Sequence, residues 1–179
     1  VTAGSGGLNG SAGMAFGADG HLYVASYSSS EILRYDGSTG AFIDVFVASG
    51  TGGLATPLGL NFGPDGLLYV SSRGANNLLR FDPVTGAHDA SFNGNLGGGV
   101  PEEFVFAPNG EILAADIGGN VMRIDATTGA SLGTFVPFGS GGLSSDAGMA
   151  FGPDGRLFGW NGRMPATSYS GRVASSVRK

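Results

Sequence analysis

The stretch Gly63-Pro64-Asp65-Gly66-Leu67-Leu68-Tyr69-Val70 decides the fold, because near copies of it recur along the chain. The copies are Gly17-Ala18-Asp19-Gly20 with Leu22-Tyr23-Val24, Ala107-Pro108-Asn109-Gly110 with Ile112-Leu113-Ala114, and Gly152-Pro153-Asp154-Gly155 with Leu157-Phe158. The last glycines of the four turns are 46, 44 and 45 residues apart. A repeat of this length is one supersecondary unit that buries its apolar faces only by stacking on copies of itself.

Each repeat contains four short apolar runs separated by turn signals. In the second repeat these runs, named strands A to D, are Leu58–Phe62, Leu67–Ser72, Asn77–Asp82 and His88–Phe92. Proline and glycine in the A–B turn favour a type I turn followed by a residue of positive φ. Four short antiparallel strands with a linker back to the start describe one blade of a propeller. The sequence therefore predicts an all-β fold, a β-propeller.

The repeat also predicts the domain organisation. Complete blades are expected at 11–56, 57–100 and 101–146, with a partial blade at 147–160 and a non-repeat tail at 161–179. Residues 1–10 are expected to end a preceding blade, because Val1–Leu8 matches Val47–Leu54 nearly residue for residue. About 3.5 four-stranded blades are visible, whereas closed rings use about four to eight. We expect a fragment of a larger ring, and the alternative is a four-blade ring closed by residues 1–8.

Composition excludes several function classes. The chain has 179 residues, 35 glycines, no cysteine and a formal net charge of −5. Without cysteine there is neither a disulfide framework nor a thiolate metal site. Without a cluster of lysine and arginine, nucleic acid and anionic lipid surfaces are not expected as partners. The longest apolar runs have the length of strands, so membrane insertion is not expected.

The repeated pattern resembles a known family. Apolar-x-Phe-Gly-Pro-Asp-Gly-x-Leu-Tyr-Val (60–70), then Leu-Arg-Phe-Asp (79–82) and Thr-Gly (85–86), is similar to the NHL-type repeat of bacterial six-bladed propellers. The linker at 46–54 resembles that of the exported group, many of whose members carry a C-terminal PEP-CTERM sorting signal. This resemblance covers residues 1–160 and implies a six-bladed ring and an extracytoplasmic or secreted address. Streptogramin lyases and the gluconolactonase group have related propellers, so the fold does not choose a function.

Departures from the repeat point to a candidate metal site. Strand A starts with glycine at Gly13, Gly59 and Gly148, but with Glu103 in the third repeat. Strand B ends in the series Ser26, Ser72, Asp116 and Asn161. Because both positions lie at one face near the central channel, Glu103, Asp116 and Asn161 are expected to converge there. The set is similar to the ligands of the gluconolactonase group, and oxygen ligands suit calcium or magnesium. The alternative is a rim of solvated carboxylates.

The B–C loops on the same face vary while the framework repeats, as binding loops on a rigid scaffold do. They predict that Tyr27, Arg73, Asn76 and Asn77 contact a polar ligand or peptide, although unselected drift of the loops explains the variation equally well. Our first hypothesis is a non-catalytic, exported scaffold that binds a protein or glycan partner and needs no cofactor. The second is a metal-dependent lactonase or lyase with a calcium or magnesium site at the channel mouth.

Two further predictions concern packing and charge. The phenylalanines at one position of strand A are expected to be buried between blades: Phe16, Phe62, Phe106 and Phe151. Arg34, Arg80 and Arg123 recur on strand C and are expected to reach carboxylates within or between blades. Open flanks of an incomplete ring expose sheet faces that are built for a neighbour, so self-association is expected.

Overall fold

The computed structural model describes residues 1–140 and 148–160, and these residues form antiparallel sheets joined by short turns. The strands are β1 (Ser11–Phe16), β2 (Leu22–Ser26), β3 (Glu31–Tyr35), β4 (Phe42–Val47), β5 (Pro57–Phe62), β6 (Leu68–Ser72), β7 (Asn77–Phe81), β8 (Gly94–Asn95), β9 (Pro101–Phe106), β10 (Glu111–Asp116), β11 (Val121–Asp125), β12 (Ser131–Val136), β13 (Gly148–Phe151) and β14 (Leu157–Trp160). Helical structure in the described ranges consists of short 3₁₀ turns, which include Ser5–Gly7, Thr51–Gly53 and Arg73–Ala75. No described segment forms a helix long and apolar enough to cross a membrane.

Each sheet follows chain order, as expected for propeller blades. Three four-stranded sheets have the orders β1-β2-β3-β4, β5-β6-β7-β8 and β9-β10-β11-β12, and a two-stranded sheet pairs β13 with β14. We call these sheets blades 1 to 4. The chain divides into two compact units, Val1–Asn93 and Gly94–Lys179, which are described separately below.

The fourth strand of blade 2 differs from the prediction at His88–Phe92. Only an isolated bridge joins His88 to Phe81, and the strand that follows is the two-residue β8. The cause is local turn chemistry at Asp89. Its carboxylate accepts hydrogen bonds from the backbone N–H and the hydroxyl of Ser91, and its carbonyl accepts from Phe92 N–H. This turn competes with the extended conformation for the backbone groups of the segment.

The C–D turns repeat one hydrogen-bonded arrangement. In blade 1, Asp36 Oδ1 accepts from the backbone N–H of Ser38 and from both the N–H and the hydroxyl of Thr39. Asp82 and Asp125 do the same in blades 2 and 3. The hydrogen bonds from Thr39 lower the pKa of Asp36. These carboxylates close turns, so the arginines on the same strands pair with other groups.

In the first unit, blades 1 and 2 stack around a shared apolar core. Blade 1 contributes Tyr23, Ala25, Ile32, Phe46 and Val47, and blade 2 contributes Leu60, Leu68, Val70, Leu79 and Phe81, with Leu54 between them. The ring of Phe62 packs edge-on against Tyr23, with centroids 5.1 Å apart. At the start of β1, a Cβ added to Gly13 would overlap the Leu58 carbonyl oxygen. Glycine is therefore required where the first strands of these two blades approach each other.

The second unit packs on the same principle. Leu113, Val121, Val136 and Leu157 form its core, with Met149 and Phe151 of β13 packed against it. Leu113 occupies the position of Tyr23 in the repeat, and Phe151 that of Phe62. In the second unit, the strand A ring of Phe151 thus packs on the core that contains the strand B residue Leu113.

The expectation that all four phenylalanines are buried was wrong for Phe16, which is 63% exposed. Phe62, Phe106 and Phe151 are half-buried. Phe16 lies on the face of blade 1 that points away from blade 2. A tyrosine of a further blade would be needed there to reproduce the Tyr23–Phe62 contact.

The N-terminal segment packs on blade 1 as the linker at 47–54 packs on blade 2. Both segments contain a 3₁₀ turn, and both place a glycine with positive φ against an aromatic ring: Gly6 against Phe42 and Gly52 against His88. Tyr35 donates its hydroxyl hydrogen bond to the Ser5 carbonyl oxygen. Leu8 joins a small core with Val24 and Leu33. The sequence match between the two segments thus corresponds to a structural match.

Candidate functional site

The four predicted binding residues lie at one edge of the first unit, where the B–C loops and the segments that lead into strand A meet. Tyr27 follows β2, and Arg73, Asn76 and Asn77 lie between β6 and β7 or at the start of β7. Asn76 is exposed, and the other three are half-buried. The Oδ1 atom of Asn77 is buried and accepts no hydrogen bond from the described residues.

Thr56 connects the loops of blades 1 and 2 at this edge. Its backbone N–H donates to Ser30 Oγ at 3.0 Å, and its carbonyl accepts from the N–H of Arg73 at 3.3 Å. The next backbone pair runs from Gly74 N–H to the Ala55 carbonyl. The loop that carries Tyr27 and the loop that carries Arg73 are thus held together through one linker residue.

This edge also holds the strained backbone of the described chain. Ser30, Thr56 and Asn76 have φ values of 60°, 44° and 57°, and among described residues they are the non-glycine positions with positive φ. Ser30 and Asn76 are 46 residues apart and occupy the same place in their loops. A β-branched residue such as Thr56 rarely adopts this region. Strain of this kind persists where the surrounding contacts over-determine it.

The serines that end strand B hold the linkers of the first unit. Ser26 Oγ accepts a hydrogen bond from Asn9 N–H, and Ser72 Oγ accepts one from Ala55 N–H, both at 3.0 Å. Both serines are fully buried. This position of the repeat is therefore structural in blades 1 and 2.

Asp116 occupies the same position in blade 3 and is 5% exposed. Its carboxylate accepts hydrogen bonds from the backbone N–H of Asn120 at 2.9 Å and from the Asn120 side-chain amide at 3.1 and 3.3 Å. A Cβ added to Gly99 would lie 2.8 Å from Asp116 Oδ2. The carboxylate thus packs against the linker backbone and braces the B–C turn.

Glu103 lies on β9, which pairs with β10 through a register shift next to Asp116. Burial, and then the charge of Glu102, raise the pKa of the Glu103 carboxyl. Within the described ranges Glu103 forms no hydrogen bond or ion pair with another side chain. Both Glu103 and Asp116 thus lie at the end of the β9–β10 pair that was expected to face the channel mouth.

The third predicted ligand, Asn161, lies outside the described residues. Among the described residues, no group of three or more histidine, cysteine, aspartate or glutamate side chains is arranged to hold a metal ion. The set of Glu103, Asp116 and Asn161 therefore stays a prediction.

Sequence reasoning missed the partners of the repeated arginines. Arg34 forms a two-pronged ion pair with Asp44, at 3.1 and 2.6 Å, and Arg80 pairs with Asp89 at 2.7 Å. Both are cross-strand pairs between strand C and the segment that follows it. Each guanidinium also lies over two aromatic rings. These are Tyr23 and Phe46 for Arg34, and Tyr69 and Phe92 for Arg80.

In blade 3 the strand C arginine pairs with a carboxylate on a different strand. Arg123 lies opposite Gly133, where blade 1 has Asp44, and it pairs instead with Glu111 on the neighbouring strand β10 at 2.5 Å. Leu113 replaces the tyrosine. Strand β12 thus lacks the acid that β4 carries, and the additional acid at the start of β10 takes over its role as partner of the arginine. An alignment of the repeats that also considers which strands are paired would reveal this exchange.

Comparisons with solved structures show the fold. A catalytically inactive virginiamycin B lyase from Staphylococcus aureus, crystallised with quinupristin, matches with a TM-score of 0.64 and 16% identity over 83% of this chain and 48% of that chain. The PQQ-bound aldose sugar dehydrogenase from Streptomyces coelicolor matches with a TM-score of 0.64 and 22% identity. The match covers 87% of this chain and 57% of the dehydrogenase chain. The computationally designed Ika4 protein matches with a TM-score of 0.62 and 13% sequence identity, and the match covers 86% of each chain.

These likenesses confirm the β-propeller and nothing narrower, because identity is low throughout. This chain spans about half the length of the two enzymes. No protein-family model matches the chain, and no curated protein matches it in sequence. The propeller neighbours include a lyase and a dehydrogenase, so both an enzyme and a scaffold are compatible with the fold.

Proposed function

We propose that this chain is part of a non-catalytic, NHL-type bacterial propeller that acts outside the cytoplasm. In this proposal it binds a protein or glycan partner through the B–C loops and the linkers into strand A. The observation that carries the proposal is the strained backbone at Ser30 and Thr56, which lie at this edge together with the left-handed Asn76; within the described ranges these are the non-glycine residues with positive φ. An ordinary turn needs no such residues, because glycine adopts positive φ without steric cost.

Side-chain chemistry at this edge supports a polar partner. Arg73 offers a planar set of donors, and the exposed Asn76 offers both a donor and an acceptor. Tyr27 combines an apolar ring with a hydroxyl, a combination that is frequent in binding surfaces. Protein and glycan surfaces both present carbonyl and hydroxyl groups that these side chains recognise.

The rigidity of the loops supports binding as well. Thr56 ties the two loops together, and buried serines fix the linkers beneath them. A pre-organised surface loses less conformational entropy when a partner docks. The opposite edge consists of short Asp-capped turns that repeat from blade to blade, which is the property of a framework.

The test uses a glycan array and a displayed peptide library as probes for the full chain. Arg73→Ala and Tyr27→Ala should abolish the signals of bound probes. Ser38→Ala and Val84→Ala should leave them unchanged, because these exposed residues lie in the C–D turns of the opposite edge. Probes that bind wild type and all four variants equally would overturn the assignment of the face. A wild-type chain that binds neither class of probe would overturn the proposed partner chemistry. The extracytoplasmic address is tested separately, by fractionating cells that express the whole gene product.

A metal-dependent lactonase or lyase is the second candidate. The observation in its favour is the partly buried Glu103 carboxylate on β9, whose pKa is raised by burial and then by the charge of Glu102. Calcium or magnesium at this position would supply a compensating positive charge. Calorimetric titration of the chain with calcium, in wild type and in Glu103→Gln, separates this candidate from the scaffold.

A further inference from the structure

The segment that leads into strand A is held to the B–C loop in the same way in blades 1 and 2. In blade 1 the carbonyl of Gly10 accepts a hydrogen bond from Tyr27 N–H at 2.8 Å, and in blade 2 the carbonyl of Thr56 accepts one from Arg73 N–H at 3.3 Å. Gly10 and Thr56 occupy the same position of the repeat and have φ values of 71° and 44°. Glycine adopts positive φ without steric cost, whereas a β-branched residue does not. Blade 1 thus forms this arrangement with glycine, and blade 2 forms it with a strained threonine.

The strained conformation of Thr56 is held from the loop of blade 1. Ser30 Oγ accepts the hydrogen bond of Thr56 N–H at 3.0 Å, and Ser30 itself has a φ of 60°. The equivalent residue of blade 2 is Asn76, a residue type that adopts left-handed backbone more readily than serine. Both partners of the Ser30–Thr56 hydrogen bond therefore have unfavourable backbone conformations, and such conformations persist where surrounding contacts fix them.

The loop of blade 2 packs closely on the same linker. Gly74 N–H donates to the Ala55 carbonyl at 3.0 Å, and a Cβ added to Gly74 would lie 2.8 Å from the Ala55 Cβ and 2.9 Å from Thr56 Oγ1. The directions of the N–H and C=O bonds around Thr56 depend on its φ and ψ. Its hydrogen bonds to Ser30 and to Arg73 align together in the left-handed conformation, and relaxation to negative φ would misalign at least one of them.

We propose that Ser30 and Thr56 form a two-state latch between the B–C loops of blades 1 and 2. In the closed state, Ser30 holds Thr56 in the left-handed region and Thr56 holds the loop of Arg73. In the open state, Thr56 relaxes to negative φ and the two loops move independently. This inference rests on the proposed function in that the loops are its binding surface. It adds that a partner that restrains the Tyr27 loop also stabilises the Arg73 loop, because both loops bias the same residue.

Amide hydrogen exchange of the full chain, followed by NMR spectroscopy, tests the latch without a ligand. Ser30→Ala should accelerate exchange of the Arg73 and Gly74 amides by about threefold to tenfold, the loss expected for one hydrogen bond. These amides belong to the other loop and do not themselves donate to Ser30. Ser28→Ala is the matched control and should leave both amides unchanged, because Ser28 is an exposed serine of the same loop as Ser30. Unchanged exchange of the Gly66 amide, in the A–B turn, reports that blade 2 stays folded.

A double-mutant cycle tests whether the strain of Thr56 carries the coupling. In a Thr56→Gly background, Ser30→Ala should change the exchange of the Arg73 and Gly74 amides by less than about twofold, because glycine keeps the left-handed conformation by itself. An equally large effect of Ser30→Ala in both backgrounds would overturn the latch. Unchanged exchange in Ser30→Ala alone, or equal acceleration by Ser28→Ala, would overturn it as well. Failure of the glycan and peptide probes to bind would remove the proposed function and would leave these exchange results as they are.

Discussion

Phe16 and Phe62 occupy the same position of the repeat, yet Phe62 packs edge-on against Tyr23 while Phe16 is 63% exposed. The difference arises from the neighbour and not from the strand, since both residues precede a glycine turn of the same type. Substituting each of the two residues within the same protein therefore shows how much the stacking of one blade on the next contributes to the free energy of unfolding.

We expect Phe62→Ala to lower the free energy of unfolding by about 2–4 kcal/mol, because it removes a partly buried ring and leaves a cavity. Phe16→Ala should change it by less than about 0.5 kcal/mol, as ordinary surface substitutions do. Urea unfolding at low protein concentration gives both values without a contribution from association. Equal losses for the two variants would show that Phe16 is covered in solution.

Gly13 and Gly148 form a second matched pair. A Cβ at Gly13 would overlap the Leu58 carbonyl, whereas a Cβ at Gly148 would meet no atom of the described residues within 4 Å. Gly13→Ala should therefore cost about 1–3 kcal/mol of stability as an overpacking change. Gly148→Ala should be neutral or slightly stabilising, because alanine restricts the unfolded chain. Thermal melts of the two variants decide the matter, and a neutral Gly13→Ala would contradict the close approach of β1 and β5.

Acid should weaken blade 2 through Asp89. Hydrogen bonds from Ser91, and then the Arg80 guanidinium, hold the pKa of Asp89 at about 2. This lies below the usual value of about 3.9, so the stabilising contribution is complete above about pH 4 and is lost as the pH falls through about 2. Asp89→Asn should cost about 1–2 kcal/mol at pH 7, after allowance for solvent screening. Urea unfolding at pH 7 and near pH 2 should show this difference shrinking with acid, and a difference independent of pH would refute the assignment.

The carboxyl of Glu103 should change the stability of the fold with pH in the direction opposite to that of Asp89. Burial raises the pKa of its carboxyl in the folded state, so the ionised form destabilises the fold above that pKa and the penalty disappears below the ordinary value. Glu103→Gln is therefore expected to be more stable than wild type at pH 7, with the advantage gone below about pH 4. Thermal melts of both proteins with and without calcium then test whether Glu103 binds the ion. If calcium stabilises wild type but not Glu103→Gln, the carboxylate is a ligand, and no response to calcium favours the scaffold.

The fold was predictable because each repeat contains the apolar runs of its own strands and the turn signals between them. The Pro-Asp-Gly and Thr-Gly signals predicted the meander and most of its boundaries, and the shared period predicted the stacking. The fourth strand of blade 2 was missed because Asp89 forms a local turn, and such a turn depends on one side chain rather than on periodicity. The exposure of Phe16 was missed because it depends on the neighbouring blade, and the strand itself carries no such information.

The candidate site was less predictable, since departure from a repeat has more than one physical cause. Asp116 differs from Ser26 and Ser72, yet it too braces a loop, with Gly99 making room for the larger carboxylate. The backbone strain at Thr56 leaves no signature in composition or pattern, because threonine is common in linkers. Its hydrogen bonds to two different loops depend on the approach of distant segments, which no local pattern specifies.

Four ion pairs between side chains of the described residues close inside their own blades: Arg34 with Asp44, Arg80 with Asp89, Arg123 with Glu111, and Arg156 with Asp154. A gene segment that encodes one blade therefore carries the partner of its arginine with it. Duplicating or deleting such a segment leaves each of these guanidinium groups paired and alters the apolar contacts between neighbours. Unequal recombination can thus change the number of blades in a descendant without first requiring compensating substitutions at these charges.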